Sequence, residues 1–383
     1  MKNLVDKFFK AINWQKLTDL ANEVVEQAIT LQQIPAPTFE EQQRAAYLLQ
    51  RFSELELTNV ETDAMHNVYG RLPGANSDSP GVMVVAHTDT VFNAETDLQI
   101  RREEGLISGA GLGDNSLGVA GMLGLMQILR QNRLTPERDL WFVATSREEG
   151  LGDLDGMRAA YERLRSKINM VINIEGLAFG HLYHAGIAVR RLHITAQTEG
   201  GHSWLHFGRP SAIHGIIRLG ARIDSLTPAA TPRTTYNIGL IEGGQSINSI
   251  ASTASIWLDM RSEARDNLEA LERDIRGFIA DLHSDDLQFK VEIVGDRPPG
   301  YLSPEHPLIR GALAALANVG IRGTLETGST DGNVSLAAGC PTVTVGITRG
   351  GNAHRLDEYI ETAPIAQGLQ QLITLTLAAA ASS

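Results

Sequence analysis

Four short apolar runs, each followed closely by a residue able to bind a metal, constrain this chain more than any other feature. Val82-Met83-Val84-Val85-Ala86 leads into His87-Thr88-Asp89, and Leu140-Trp141-Phe142-Val143-Ala144-Thr145 is followed after two residues by Glu148-Glu149. Met170-Val171-Ile172-Asn173-Ile174 stops at Glu175, and Thr342-Val343-Thr344-Val345-Gly346-Ile347 leads on to His354. Unbroken runs of this length, rich in β-branched and aromatic residues, read as strands buried on both faces, so they predict a mixed, mostly parallel sheet flanked by helices. In such α/β sheets ligands collect beyond the carboxyl ends of the strands. His, Asp and Glu are therefore expected to converge on one edge.

A chain of 383 residues is long for one core and predicts two domains, and its 43% apolar content can fill both. The formal net charge of -12 argues against nucleic acid or an anionic membrane as partner, since each demands a concentrated basic surface. Cys340 is the single cysteine, which rules out an intramolecular disulfide and a thiolate zinc site of the structural kind and permits a reducing compartment. The first ten residues interrupt their apolar positions with charge, unlike a secretion signal, and no run approaches the roughly 18 apolar residues of a membrane span. A cytoplasmic protein is the expectation.

Helical spacing predicts helices near 14–33 and 40–57, separated by Pro35-Ala36-Pro37-Thr38, and another from about Ser116 to Arg130. Small residues at Gly118, Ala120, Gly121 and Gly124 would let that last helix approach the sheet, although each glycine costs about 1 kcal/mol in propensity. The pattern changes after Gly186. Strand 188–197, helix 211–225, strands 234–241 and 254–261, helix 265–283 and strand 288–294 follow the order of a ferredoxin-like α+β sandwich. The expected organisation is a first catalytic part at 1–185, an inserted domain at 186–295 and a second catalytic part at 296–383. Helices near 306–319 and 363–379 complete the chain.

His87 and Asp89, two apart at a strand end, can share a face, so the histidine can bind a metal while the aspartate orients its ring. A purely structural pair would look the same. Asp114 opens a helix, where an N-cap is the plain alternative. Adjacent Glu148 and Glu149 can divide metal binding from proton handling, or form a solvated loop. Gathered together, carboxylates repel one another by roughly 4 kcal/mol per pair at ~4 Å and an effective dielectric near 20. Two divalent cations would reverse that penalty, and a set of imidazoles and carboxylates suits zinc while tolerating cobalt or manganese.

The ordered set His87, Asp114, Glu149, Glu175 and His354 resembles the M20 family of metallopeptidases and amidohydrolases, over nearly the whole chain. The resemblance implies a zinc exopeptidase-like catalytic domain with two Zn2+ ions. It implies that His87 and Glu175 hold one ion, that Glu149 and His354 hold the other, and that Asp114 bridges them. Glu148 would be the general base and Asp89 the partner of His87. In the inserted domain, Gly201-His202-Ser203 resembles the segment whose histidine reaches a neighbouring subunit's site, which implies a homodimer formed through that domain. Asn248 lies in a segment resembling the family's substrate-contacting asparagine loop. Arg261, with Arg297 as a second candidate, resembles the arginine that contacts a substrate carboxylate, and Gly328 opens a segment like the family's glycine-rich substrate loop. Ser116 departs from the lysine found in many relatives, and Gly350-Gly351-Asn352-Ala353-His354 leans toward the peptidase T-like branch.

The implied chemistry is hydrolysis of an amide or peptide bond in a short peptide or N-acyl amino acid with a free carboxylate. Two other enzyme classes fail on their motifs. Gly111-Leu112-Gly113 lacks the third glycine of a dinucleotide-binding turn, and Asp114 stands where a serine hydrolase's elbow needs glycine. A non-catalytic relative that binds metal and acts in assembly would be marked by loss of Glu148 or of a ligand. All are present.

Overall fold

In the computed structural model, which describes residues 1–382, the four runs form the centre of a nine-stranded mixed sheet. Leu140–Thr145, Gly81–His87, Ile168–Glu175 and Thr342–Gly346 lie side by side and parallel. Antiparallel strands flank them: Thr58–Thr62 and Val68–Leu72 on one side, His181–Gly186 and Gly300–Tyr301 on the other. Thr324–Gly328 adds a parallel pairing to His181–Gly186.

Every residue of Gly81–His87 and of Leu140–Thr145 is buried, as strands sandwiched between helices require. Their alternate side chains divide between two cores. Val82, Val84, Ala86, Leu140, Phe142 and Ala144 enter the larger one, while Met83, Val85, Trp141 and Val143 enter the smaller. Burying a side chain of the Val or Phe class contributes roughly 1.5–3 kcal/mol, so these strands are held on both faces. In the helix Gly118–Gln131, Gly121 allows the expected approach to the sheet, a β-carbon there lying 2.6 Å from Ile347 Cδ1, while Gly124 faces the helix Leu17–Gln32 instead, where a β-carbon would lie 2.6 Å from Val24 Cγ2.

Two local features differ from expectation. The opening stretch, too charged for a secretion signal, is itself a helix, Lys2–Ala11, with Val5 fully buried and its charges on the outer side. A wide helical turn, Leu112–Leu117, precedes Gly118, so the helix expected at Ser116 starts two residues later and Asp114 sits in backbone that is not helical.

Contacts divide the chain into two compact units, Met1–Gly186 with Gly300–Ser383, and Ile187–Pro299. The second unit is a four-stranded antiparallel sheet in the order Thr234–Gly243, Thr253–Ser262, Ala188–Gln197, Gln288–Arg297. The last strand runs three residues past its expected end, because Arg297 still pairs with Val189. Helices Ala212–Asp224 and Arg265–Leu282 bury Ile216, Leu219, Leu271 and Ile275 in a core shared with Leu192, Ile194, Ile256 and Leu258. This is the ferredoxin-like arrangement.

Candidate metal centre

Parallel register brings the strand ends level. His87 pairs with Thr145 and Gly346 with Glu175, so the segments leaving these strands emerge at one edge. There the five residues meet. One carboxylate oxygen of Asp114 lies 3.1 Å from His87 Nε2, and the other lies 3.1 Å from His354 Nε2. Glu175 Oε2 is 3.5 Å from His87 Nε2, and Glu149 Oε1 is 3.1 Å from His354 Nε2. Three groups result with ligand atoms within 4.8 Å of one another: the triads His87-Asp114-Glu175 and Asp114-Glu149-His354, which have Asp114 in common, and His87-Glu148-Glu149.

Asp114 is placed by backbone capture. Glu358 Oε1 accepts the N–H groups of Gly113 and Asp114 at 2.5 and 2.9 Å. Asn115 donates from Nδ2 to Ile174 O and accepts from Gly176 N–H, tying this turn to the strand that carries Glu175. Ser116, buried, donates to Gly111 O and so closes the loop on itself.

Asp89 is fully buried, and its oxygens accept from Glu148 N–H, Glu149 N–H and Thr38 Oγ1 at 2.9, 2.9 and 2.8 Å. His87 Nδ1 lies 3.2 Å from Asp89's own backbone oxygen and 3.6 Å from its carboxylate. Beyond facing the ring, Asp89 therefore fixes the backbone of the two glutamates. Glu41 extends this support by accepting from Arg147 N–H, and Arg44 donates to Thr88 O. Arg147, just before the pair, has a φ of 56° and His354 one of 65°, conformations costing about 1–3 kcal/mol each in a side-chain-bearing residue.

The profile of peptidase family M20/M25/M40 matches residues 83–378, a stretch that includes both triads. The chain belongs to this family. Against a probable carboxypeptidase of Arthroderma otae this M20 chain is 29% identical over 220 residues, which cover 52% of it and 47% of the relative. It thus spans about half the length of that curated relative. The uncharacterized protein YqjE of Bacillus subtilis is 24% identical over 351 residues, 85% of this chain and 90% of YqjE. Aminopeptidase PepT of Bacillus cereus shares the fold, with a TM-score of 0.73 at 20% identity, over 94% of this chain and 99% of PepT.

Electrostatics test whether the M20 donors suit cations. Burial, with the charge of Glu148, pushes Glu149 up to about 7, and burial likewise raises Glu175. Hydrogen bonds to Asp114 and Glu149 raise His354 to about 10. Burial disfavours charge on Asp114, yet its bonds with His354 and His87 outweigh it and hold the carboxyl well below the usual range. The carboxylates thus depend on adjacent positive charge to ionise, and two dications, each among two carboxylates and one imidazole, match that need. The two overlapping triads are able to hold metal ions, consistent with a catalytic site of the M20 type.

In the second unit, His202 pairs with Ser249, and Ser203 N–H donates to Asn248 O, so the two expected contact loops lie together. His202 is exposed and its Nδ1 accepts from Trp204 N–H at 3.1 Å. Arg261 and Arg297 stand at the same level on either side of Val189. The first is exposed and bonded through Nε to Asp259, while the second is buried. Gly328, in the first unit, lies flat against Tyr183, where a β-carbon would come within 2.6 Å of Cδ1. The sequence reading missed Glu41, Asp331 and Glu358. Asp331 is fully buried and accepts from Thr145 Oγ1 at 2.5 Å, and burial together with Glu148 raises its carboxyl well above the ordinary range. Its place in Gly328-Ser329-Thr330-Asp331-Gly332 was the one available signal.

Proposed function

We propose that the protein hydrolyses the amide or peptide bond of a short peptide or N-acyl amino acid bearing a free carboxylate, with two Zn2+ ions as native cofactor and Co2+ or Mn2+ as substitutes. The observation that carries this reading is Asp114, whose two oxygens each face a different imidazole. His87, Asp114 and Glu175 would hold one ion, and Asp114, Glu149 and His354 the other. Ions bound there supply Lewis acidity, polarising a carbonyl and bringing the pKa of water toward about 7.

Glu148 takes the proton of the attacking water and returns it to the departing amine. This division of labour is supported by the bond of Glu149 to His354 in the triad that Asp114 shares, whereas Glu148 is grouped only with His87 and Glu149; the backbone of both glutamates is pinned by Asp89. Orientation of His87 by Asp89, oxyanion contact by His202 reaching across from a second copy of the chain, substrate contacts by Asn248 and Gly328, and carboxylate recognition by Arg261 or Arg297 complete the proposal. The names of relatives, a probable carboxypeptidase and an aminopeptidase, support the bond class. A homodimer through the second unit is supported by its edge strand Thr234–Gly243, which exposes Leu240 and Ile241 beside unpaired backbone groups. Among the described residues no helix is long and apolar enough to cross a membrane, and the buried free Cys340 suits the cytoplasm.

Glu148→Ala tests the reading. Turnover on a panel of dipeptides and N-acyl amino acids should fall at least about 100-fold, within the usual contribution of a general base, with zinc content unchanged. Near-normal activity in the variant would remove Glu148 from its role. Stoichiometric zinc with no turnover by the unaltered protein would favour the non-catalytic, metal-binding alternative.

A further inference from the structure

Among the described residues of the first unit, the large apolar side chains exposed to solvent are Phe39 (45%), Val91 (43%), Leu151 (49%), Tyr301 (65%) and Leu356 (68%). All but Tyr301 are neighbours of the metal centre in sequence. Phe39 follows Thr38, the donor to Asp89; Val91 stands two residues after Asp89, Leu151 two after Glu149 and Leu356 two after His354. Scattered exposed apolar residues need no explanation, but four of five on the loops of one site do.

Hydrogen bonds join these loops to one another. Thr90 N–H donates to Ala36 O at 2.9 Å, Thr38 Oγ1 to Asp89 Oδ2 at 2.8 Å, and Phe39 and Arg147 N–H both to Glu41 Oε1 at 3.0 Å. Gly152 lies so close that a β-carbon there would be 2.7 Å from Thr38 Cγ2. The loop of Leu356 joins through the contact of His354 with Glu149. Phe39 carries a further mark. Its φ is 80°, a conformation that a bulky residue adopts at a cost, and it is held there by Glu41 with the ring under the Arg147 guanidinium, 5.3 Å away. Glycine would relieve that strain, and the contact with Arg147, worth about 0.5–1 kcal/mol, offsets only part of it.

We infer that Phe39, Val91, Leu151 and Leu356 form an apolar rim that receives the acyl-side group of the substrate, and that the substrate class is N-acyl amino acids or peptides with an aliphatic or aromatic group on that side. This rests on the amide-hydrolase reading above. The amine-side half carries the free carboxylate, which an apolar surface does not solvate, so the rim is left to the acyl half. Full burial of one methylene corresponds to about a fourfold gain, and a half-open rim delivers part of it.

The test uses the zinc-loaded enzyme and a series of N-acyl derivatives of one amino acid, from acetyl to octanoyl. kcat/KM should rise about two- to fourfold per added methylene over the first few carbons. Phe39→Ser with Leu151→Ser should flatten that slope, while Ile217→Ser, at an exposed apolar site in the second unit, should leave it as it is. Turnover with no dependence on acyl length, or a slope unaltered in the double variant, overturns the rim and leaves the hydrolase reading standing. Absence of turnover across the whole series by a zinc-replete protein overturns both.

Discussion

Replacing Asp89 separates two tasks that its position combines. Its carboxylate is fully buried and accepts three hydrogen bonds of 2.8–2.9 Å, two of them from the backbone N–H groups of Glu148 and Glu149. In Asp89→Ala these donors are left without a partner in the protein interior. Each orphaned group costs about 1–3 kcal/mol, so a loss of roughly 3–5 kcal/mol follows once relief from burying the charge is set against it. In a chain of this size that amounts to a fall in Tm of about 4–6 °C. Glu148 would lose its backbone anchor as well, and a displacement of about 1 Å is enough to lower kcat about 100-fold. Asp89→Asn should fall between, since one amide oxygen can still accept while the amide nitrogen opposes an N–H. The assay is scanning calorimetry of the zinc-loaded protein alongside kcat and KM on a cleaved dipeptide. If Asp89 acted only by orienting His87, zinc affinity would drop about 10- to 100-fold while the Tm of the chelated protein held. An Ala variant with unaltered Tm and kcat within about threefold of the parent would refute the backbone-pinning argument altogether.

Two further outcomes follow from the same geometry. His354→Ala removes one imidazole while leaving His87, Asp114 and Glu175 in place, so zinc bound per chain should fall from two ions to one, checked by metal analysis after dialysis. Chelation should lower Tm in the unaltered protein, since zinc at 100 times its Kd contributes about 2.7 kcal/mol per site; an unchanged Tm would mean that neither triad binds. Glu358 is raised by burial from 4.5 to about 7. Its contribution is therefore complete below pH 4.5 and lost as pH rises through 7, amounting to about 3 kcal/mol. In chelated protein, Glu358→Gln should be less sensitive than the parent between pH 5 and 8, and parallel Tm curves for the two would show that Glu358 is already ionised at pH 5.

The difference between Glu149 and Glu358 shows where a sequence informs and where it stops. Glu149 follows a run whose composition specifies a strand buried on both faces, and parallel register then fixes which edge that strand points to. His87 and Glu175 were found by the same route, and His354 by the run that ends at Ile347. The alternating strands and amphipathic helices of 188–294 were likewise readable, because each periodicity is a local property. Glu358 has no such context. It lies in an exposed charged loop, Arg355-Leu356-Asp357-Glu358, and becomes buried only when the strand Tyr359–Glu361 pairs with Leu106–Ser108 and carries it onto the turn holding Asp114. Asp331 and Glu41 are hidden for the same reason: Thr145 Oγ1, the donor to Asp331, and Arg147 N–H, which Glu41 accepts besides the local Phe39 N–H, lie more than a hundred residues away. A buried carboxylate that serves backbone rather than metal leaves no spacing to read. The residues that aim a site are thus harder to find than those that form it.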